Sequence, residues 1–232
     1  MSVYYQDDLI TLHHGDAVEV LADMRPESVN TVLTDPPFFM PAQQYAGRGG
    51  TWMRTWSDTS ILATWWGVVV EAMTPVVKDD GHLLAFCDDA SYPVFYPSIY
   101  TRWPNLAALV WDKERPGMGT AWRMSSELII AARKSSAHWS GGALGTVFRQ
   151  PPVHHSERLH PVDKPVGLLQ DLIRPTTPER GIVLDPFAGG GSTLLAARNL
   201  GRKSIGIELE ERYCEIIARR LDQYALDFGG VS

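Results

Sequence analysis

Ile182-Val183-Leu184-Asp185-Pro186-Phe187-Ala188-Gly189-Gly190-Gly191-Ser192-Thr193 is the stretch on which the reading of this chain turns. Its first three residues are aliphatic, as in a strand buried on both faces of a parallel sheet. Pro186 ends that strand, three glycines follow, and Ser192 opens a helix predicted over Ser192–Leu200. Glycines let a backbone approach a ligand closely, and a helix amino terminus favours a negative group such as a carboxylate. Glu208 stands 23 residues after Asp185, at the end of the next predicted strand (Ser204–Ile207), where an acid can grip two ribose hydroxyls. The loop lacks the Gly-Lys-Ser/Thr of a Walker loop, and Leu194 stands where the third glycine of a dinucleotide fingerprint belongs. A nucleoside cofactor without a pyrophosphate suits these residues better than NAD.

Outward from this stretch the pattern repeats. A helix follows over Glu211–Tyr224, and another begins upstream near Pro165, placed at the first helical position that proline prefers. Further strands are predicted at Leu9–His13, Val29–Leu33, His82–Cys87, Leu106–Trp111 and Glu127–Arg133, with helices ending near Met24, Met73 and Tyr100. Seven strands interleaved with helices predict an α/β fold with a doubly wound, mostly parallel sheet in a single domain over residues 1–232. Residues 39–57 carry three glycines and no consistent period, and read as a flexible loop near the site. Residues 134–160 are irregular and read as a short target-recognition region.

A second stretch, Thr34-Asp35-Pro36-Pro37-Phe38, leaves the predicted strand Val29–Leu33. Neither proline can donate a ladder hydrogen bond, so the chain must quit the sheet here, at a strand's carboxyl end, where open α/β sheets place their ligands. The stretch offers one carboxylate, rigid carbonyls and an aromatic face. That set suits a planar base with an exocyclic amine, whose lone pair is delocalised into the ring. Asp35 and the Pro36 carbonyl can each accept one amine hydrogen, favouring the tetrahedral nitrogen that attacks, while Phe38 stacks on the base. Extracting a base costs a few kcal/mol, and one aromatic stack returns about 1–3 kcal/mol.

Composition sets outer limits. The 232 residues are 44% hydrophobic and 21% charged, ordinary for a globular chain. A formal net charge of −6 argues against a general nucleic-acid coat, so any DNA contact must come from a local patch. Cys87 and Cys214 sit in apolar runs and read as reduced core thiols. With no signal peptide at the amino terminus and no long apolar stretch, the expected location is cytoplasmic.

Asp185–Thr193, Gly206-Ile207-Glu208 and Asp35–Phe38 resemble motifs I, II and IV of the amino-group DNA methyltransferases, the N6-adenine/N4-cytosine family. Motif IV precedes motif I, as in the circularly permuted β group. Gly15-Asp16 resembles motif III, His160-Pro161-Val162-Asp163-Lys164-Pro165 resembles motif X, and Trp111-Asp112-Lys113 with Glu127 resemble later motifs of the catalytic half. The resemblance implies a Rossmann-like methyltransferase fold and S-adenosyl-L-methionine as cofactor. It assigns catalysis to Asp35, Pro36, Pro37 and Phe38. It places Asp185, Phe187, Ala188, Gly189 and Gly191 around the cofactor, with Ser192 and Lys164 near its carboxylate, Glu208 on the ribose, Asp16 on the adenine and Asp35 facing the methyl. Phe38 replaces the commoner Tyr, and Asp163 stands where the family often has Gln. Methylation at ring carbon C5 needs a nucleophilic cysteine, usually after proline; Phe86 precedes Cys87 and Tyr213 precedes Cys214, which excludes it.

In the family an aspartate at position 35 goes with adenine N6 and a serine with cytosine N4, so the resemblance favours adenine. Cytosine N4, or adenine in RNA, remain the alternatives, with an NAD-dependent oxidoreductase or a catalytically silent DNA-binding subunit as more distant rivals. Double-stranded DNA is the implied partner, and a homodimer and a cognate restriction enzyme are further implications. Residues 113–164 hold eight Lys/Arg against four acids. Lys113, Arg115, Arg123, Arg149 and Arg158, with Arg48, Trp52 and Arg54 of the loop, are therefore the predicted DNA-facing residues. No metal is expected: His154-His155 has no supporting ligand cluster.

Overall fold

The computed structural model describes residues 2–38, 58–117, 121–154 and 163–228, with side chains described as far as Gln223. Ser2–Gln6 (β1) and Ile10–His14 (β2) lead into Ala17–Asp23 (α1), Val29–Thr34 (β3), Thr59–Met73 (α2), Val77–Cys87 (β4) and Tyr92–Tyr100 (α3). Asn105–Asp112 (β5), Ser126–Arg133 (β6) and Val147–Arg149 (β7) follow, then Val166–Thr176 (α4), Ile182–Asp185 (β8), Ser192–Asn199 (α5), Lys203–Glu208 (β9) and Glu211–Phe228 (α6).

Among the described residues these strands form one nine-stranded sheet in the order β1-β2-β9-β8-β3-β4-β6-β5-β7. β2, β9, β8, β3 and β4 pair in parallel. β6 runs antiparallel between β4 and β5, and β1 antiparallel to β2. The fold class is the one expected, with two strands more than predicted. Both additions, β1 and the three-residue β7, are outermost strands with exposed positions, so neither carries the apolar run that marks a buried strand.

Two boundaries differ for local reasons. β4 begins at Val77, five residues before the predicted His82, and Gly81 lies within it instead of introducing it. A Cβ there would stand 2.7 Å from the Asn30 carbonyl oxygen, so glycine is what lets β4 pass close to β3. Pro165 is the N-cap of α4, one place before the expected first helical position.

Both faces of the sheet are covered. α1, α2 and α3 bury Leu21, Trp66, Val70 and Phe95 on one side. α4 and α5 bury Leu168, Leu172 and Ala196 on the other, and α6 adds Cys214, Ile217 and Leu221 beside Leu12. β3, in the middle, is buried at all six positions.

The unexpected Leu194 has a structural answer. The third fingerprint glycine serves close helix–strand packing. Here the small residue is on the strand: a Cβ on Gly206 would meet Leu194 Cδ1 at 2.8 Å and Leu12 Cδ1 at 3.2 Å. Gly206→Val therefore overpacks the α5–β9 contact and lowers unfolding stability by about 1–3 kcal/mol, measured by urea denaturation.

Candidate functional site

The order in which successive strands are laid down reverses between the parallel neighbours β8 and β3. From β8 the chain passes through α5 to β9 on one side, and from β3 through α2 to β4 on the other. The carboxyl ends of such a pair open a crevice, the general ligand position in doubly wound sheets. Asp185 ends β8 and Asp35 follows β3. The Thr34 hydroxyl donates to Asp185 Oδ1 at 2.9 Å, joining the two strand ends. One small cavity is lined by Asp35, Asp163, Lys164, Asp185, Phe187 and Ala188, together with Gly189, Gly190, Ser192 and Thr193. The two stretches singled out from sequence therefore share one space.

Asp35, its side chain 17% exposed, is set against cations and anions in alternation. Lys164, only 6% exposed, donates to Asp35 Oδ2 and lies 3.2 Å from Glu127 Oε2. Lys113 Nζ holds the other Glu127 oxygen at 2.6 Å. Asp35 Oδ1 is buried with no hydrogen-bond partner among the described residues. Burial above all raises the Asp35 carboxyl, Glu127 and Asp185 add to the rise, Lys164 opposes it, and the balance leaves the group at about 6. Burial opposes the Lys164 charge too, but Asp35 and Glu127 outweigh it and hold the ammonium above its ordinary pKa. For Glu127, Lys164 and Lys113 together overcome burial and keep the carboxylate below its usual range. Phe38 is half-buried, with the Lys164 ammonium 5.5 Å from its ring centroid.

The glycine loop is held from three sides. Ala188 N–H donates to Ile207 at 2.9 Å, and Gly189 N–H to Glu208 Oε2 at 2.9 Å. Phe187 lodges against Trp65 of α2, with ring centroids 5.5 Å apart. Gly191 is the N-cap of α5 at φ 76°, and a Cβ there would come within 3.1 Å of Ile217. Asp185 Oδ1 also accepts from Phe187 N–H at 3.1 Å. Glu208 accepts backbone N–H groups on both oxygens, the second from Glu210 at 2.9 Å. Each oxygen has a second lone pair for a hydroxyl. Asp16, at the end of the neighbouring β2, caps α1 through Val18 N–H at 2.9 Å, and Gly15 N–H bonds the Glu208 carbonyl at 3.0 Å. Asp16 and Glu208 thus stand close together at neighbouring strand ends, and neither lines the cavity that holds Asp35.

Two residues at this loop escaped the sequence reading. Arg220 of α6 donates to Gly190 O at 2.7 Å and to Ser192 Oγ at 3.1 Å. Asp163, which stands where the family often has Gln and has no role in that reading, is buried, and the Ser192 hydroxyl lies 3.5 Å from its carboxylate. Arg220 gave no signal because α6 reads as an ordinary amphipathic helix.

The predicted DNA-facing residues divide. Arg48, Trp52, Arg54 and Arg158 lie outside the described residues. Lys113 is turned inward: its ammonium is tied to Glu127 and stacks 5.0 Å from the Trp111 ring centroid, which takes it out of the exposed basic set. Arg115 and Arg123 are exposed on the connection between β5 and β6, and Arg149 at the end of β7 is 72% exposed beside Asp112. All three sit at the sheet end that carries Asp35, since β5 and β7 run parallel to β4. Beside Arg123, Trp122 is 98% exposed and Met124 49% exposed, on the segment leading into β6, where Gly117 N–H donates to Met124 O at 2.8 Å. Trp122 is not among the residues predicted to face DNA, and the one tryptophan that is, Trp52, lies outside the described residues.

The family model described as DNA methylase, N6_N4_Mtase, matches residues 131–219. The putative methylase YubD of Escherichia coli (strain K12) is 31% identical over 212 residues, covering 89% of this chain and 88% of YubD. The DNA adenine methyltransferase YhdJ of the same organism is 25% identical over 248 residues, covering 91% of this chain and 82% of its own. The crystal structure of the M1.HpyAVI-SAM complex superposes with a TM-score of 0.68 at 23% identity, over 91% of this chain and 100% of that one.

The two cysteines stand apart from this chemistry. Both are buried free thiols. Burial drives the Cys87 thiol far above its ordinary pKa and pushes Cys214 up to about 12. With so little thiolate present, the native protein at pH 8 is expected to leave both thiols unreacted with Ellman's reagent, and both to react on unfolding.

Proposed function

The chain belongs to the N6-adenine/N4-cytosine DNA methylase family, and from that premise we propose that it transfers a methyl group from S-adenosyl-L-methionine to the exocyclic N6 amine of an adenine swung out of duplex DNA. The observation that carries this reading is one cavity shared by the Asp35 carboxylate and the glycine loop. Its donor set fits the cofactor. Asp185 and the loop from Phe187 to Gly190 form the floor, Asp163 and Lys164 offer one charge of each sign for an amino-acid end, and Glu208 and Asp16, outside the cavity at the neighbouring strand ends, are the acids left for the nucleoside. The motif order, Asp35 before Asp185, is that of the permuted β group.

The bound cofactor supplies an electrophilic methyl carbon on a sulfonium. The protein's part is to make a poor nucleophile competent. Asp35 and the Pro36 carbonyl accept the two amine hydrogens and draw the lone pair out of the ring. Phe38 offers its face to the base, returning about 1–3 kcal/mol of the unstacking cost. As the nitrogen–carbon bond forms and the carbon–sulfur bond breaks, positive charge arrives on the nitrogen beside the Asp35 carboxylate, which opposes it. The surplus proton would pass from the nitrogen to the Asp35 carboxylate that already accepts one of its hydrogens, and from there to solvent. Arg115, Trp122, Arg123 and Arg149 lie at the same sheet end and take the duplex: the arginines meet phosphates and Trp122 meets an exposed base or sugar. A second copy of the chain and a cognate restriction enzyme are further partners that the family resemblance implies.

Purified protein with labelled S-adenosylmethionine is expected to produce N6-methyladenine in duplex DNA, read by mass spectrometry of the digested nucleosides. N4-methylcytosine would transfer the mechanism to the other base, and an unmethylated product from a cofactor-loaded protein would overturn the reading. Asp35→Ala should lower single-turnover transfer at least about 100-fold with cofactor binding retained. Because the Asp35 pKa is raised to about 6, the carboxylate is protonated below that pH and the transfer rate should fall as pH drops through it, with Lys164, Glu127 and Asp185 the charged groups that tune the midpoint.

Trp122→Ala should weaken duplex binding by roughly tenfold, within the about 1–3 kcal/mol of one stacked base, and leave cofactor affinity unchanged; filter binding and calorimetry separate the two.

A further inference from the structure

Lys164 occupies the place where the target amine must sit. Its ammonium donates to Asp35, the acceptor the amine needs, and stands over Phe38, the face the base needs. It also brings a positive charge next to the carboxylate that has to oppose positive charge on the nitrogen. So long as that contact persists, one Asp35 oxygen is taken and the charge of the carboxylate is neutralised, leaving only Oδ1 without a partner among the described residues. Yet the same side chain lines the cavity with Asp163, Ser192 and the glycine loop, where a zwitterionic amino-acid end would bring a carboxylate. Glu127 stands 3.2 Å from the ammonium and offers a second anchor along the way.

We propose that Lys164 is a positioning residue that exchanges Asp35 for the carboxylate of the cofactor, so that the amine site opens only when the cofactor pocket is filled. The proposal rests on the methyltransferase reading. It makes the cofactor's amino-acid end a signal as well as a handle, and it orders binding: cofactor first, base extraction second. Glu127, itself held by Lys113, shares the ammonium and so eases its departure from Asp35.

The test uses the duplex in which methylation is found, with 2-aminopurine next to the target adenine, which brightens when the target leaves the stack. S-adenosylhomocysteine carries the amino-acid end; 5′-deoxy-5′-methylthioadenosine is the same adenosine thioether without it. Wild-type protein should brighten the probe with saturating S-adenosylhomocysteine and stay dark with the truncated thioether or with neither. Lys164→Met should brighten it without any ligand. If Asp35 is released in about one free molecule in ten, the substitution raises ligand-free affinity for the target duplex about tenfold. Glu127→Gln leaves Lys164 to Asp35 alone and should move the opposite way, demanding more S-adenosylhomocysteine for half-maximal signal. General loss of stability would move both variants alike. Equal brightening of wild type by the two thioethers, a dark Lys164→Met without ligand, or a shared direction for the two variants would overturn the proposal. Wild-type protein that methylates DNA while giving any of these results sinks this inference alone; wild-type protein that binds neither thioether nor transfers methyl sinks the methyltransferase reading beneath it.

Discussion

Three polar side chains on one fully buried strand set the register on which the site depends. In β3 the apolar residues pack to both faces, and Asn30, Thr31 and Thr34 are nonetheless almost completely enclosed. Each reaches toward the segment that leads into or out of β8. Asn30 Oδ1 accepts from Ile182 N–H at 3.1 Å, Thr31 donates to Thr176 O at 2.9 Å, and Thr34 donates to Asp185 at 2.9 Å. The direct ladder between β3 and β8 pairs only Thr31 with Val183 and Val32 with Leu184. A slip of one residue would leave these groups buried and unsatisfied at about 1–3 kcal/mol each, so the short ladder has one register. That register brings the end of the Asp35 strand beside Asp185.

From this pair the rest follows by necessity. Two acids at adjoining strand ends need countercharge and donors in a place with little water. Asp185 takes neutral donors, Thr34 and the Phe187 N–H. Asp35 takes Lys164, which arrives from the turn before α4. Helix α4 must therefore begin beside the crevice, and Pro165 at its N-cap fixes the approach: proline has no N–H to satisfy and its φ is already set.

The fold was legible because parallel strands buried on both faces betray themselves as aliphatic runs, and the glycine loop because no other residue tolerates its backbone. Asp35, Asp185 and Glu208 could be placed from their positions at strand ends, and Asp16 through the family resemblance. The outermost strands were not legible, since an exposed strand such as β7 carries no apolar run. Lys113 shows the limit in another way. A lysine beside Arg115 in a basic segment looks solvated, and only the antiparallel pairing of β5 with β6, which sets Trp111 opposite Glu127, turns it inward. Charge counting along a chain cannot see a partner 14 residues away across a hairpin. Trp122 errs in the opposite sense, a large apolar side chain left out in solvent by the same hairpin.

The alternation Lys113, Glu127, Lys164, Asp35 also explains how a buried ion pair can serve a moving part. Breaking such a pair outright leaves a naked charge and costs about 3–5 kcal/mol, too much for a step repeated in every catalytic cycle. Exchanging one carboxylate for another costs far less, because the ammonium stays paired and stays dry throughout. Glu127 makes the exchange continuous: at 3.2 Å it already shares the ammonium before Asp35 lets go. Lys113 in turn keeps Glu127 ionised, so that it can hold the ammonium without taking a proton from it. The carboxylate left behind on Asp35 is then unpaired and buried, with a pKa already raised by that burial. An amine hydrogen is the donor it lacks, and the enclosure that makes the empty site unfavourable is what makes the filled one tight.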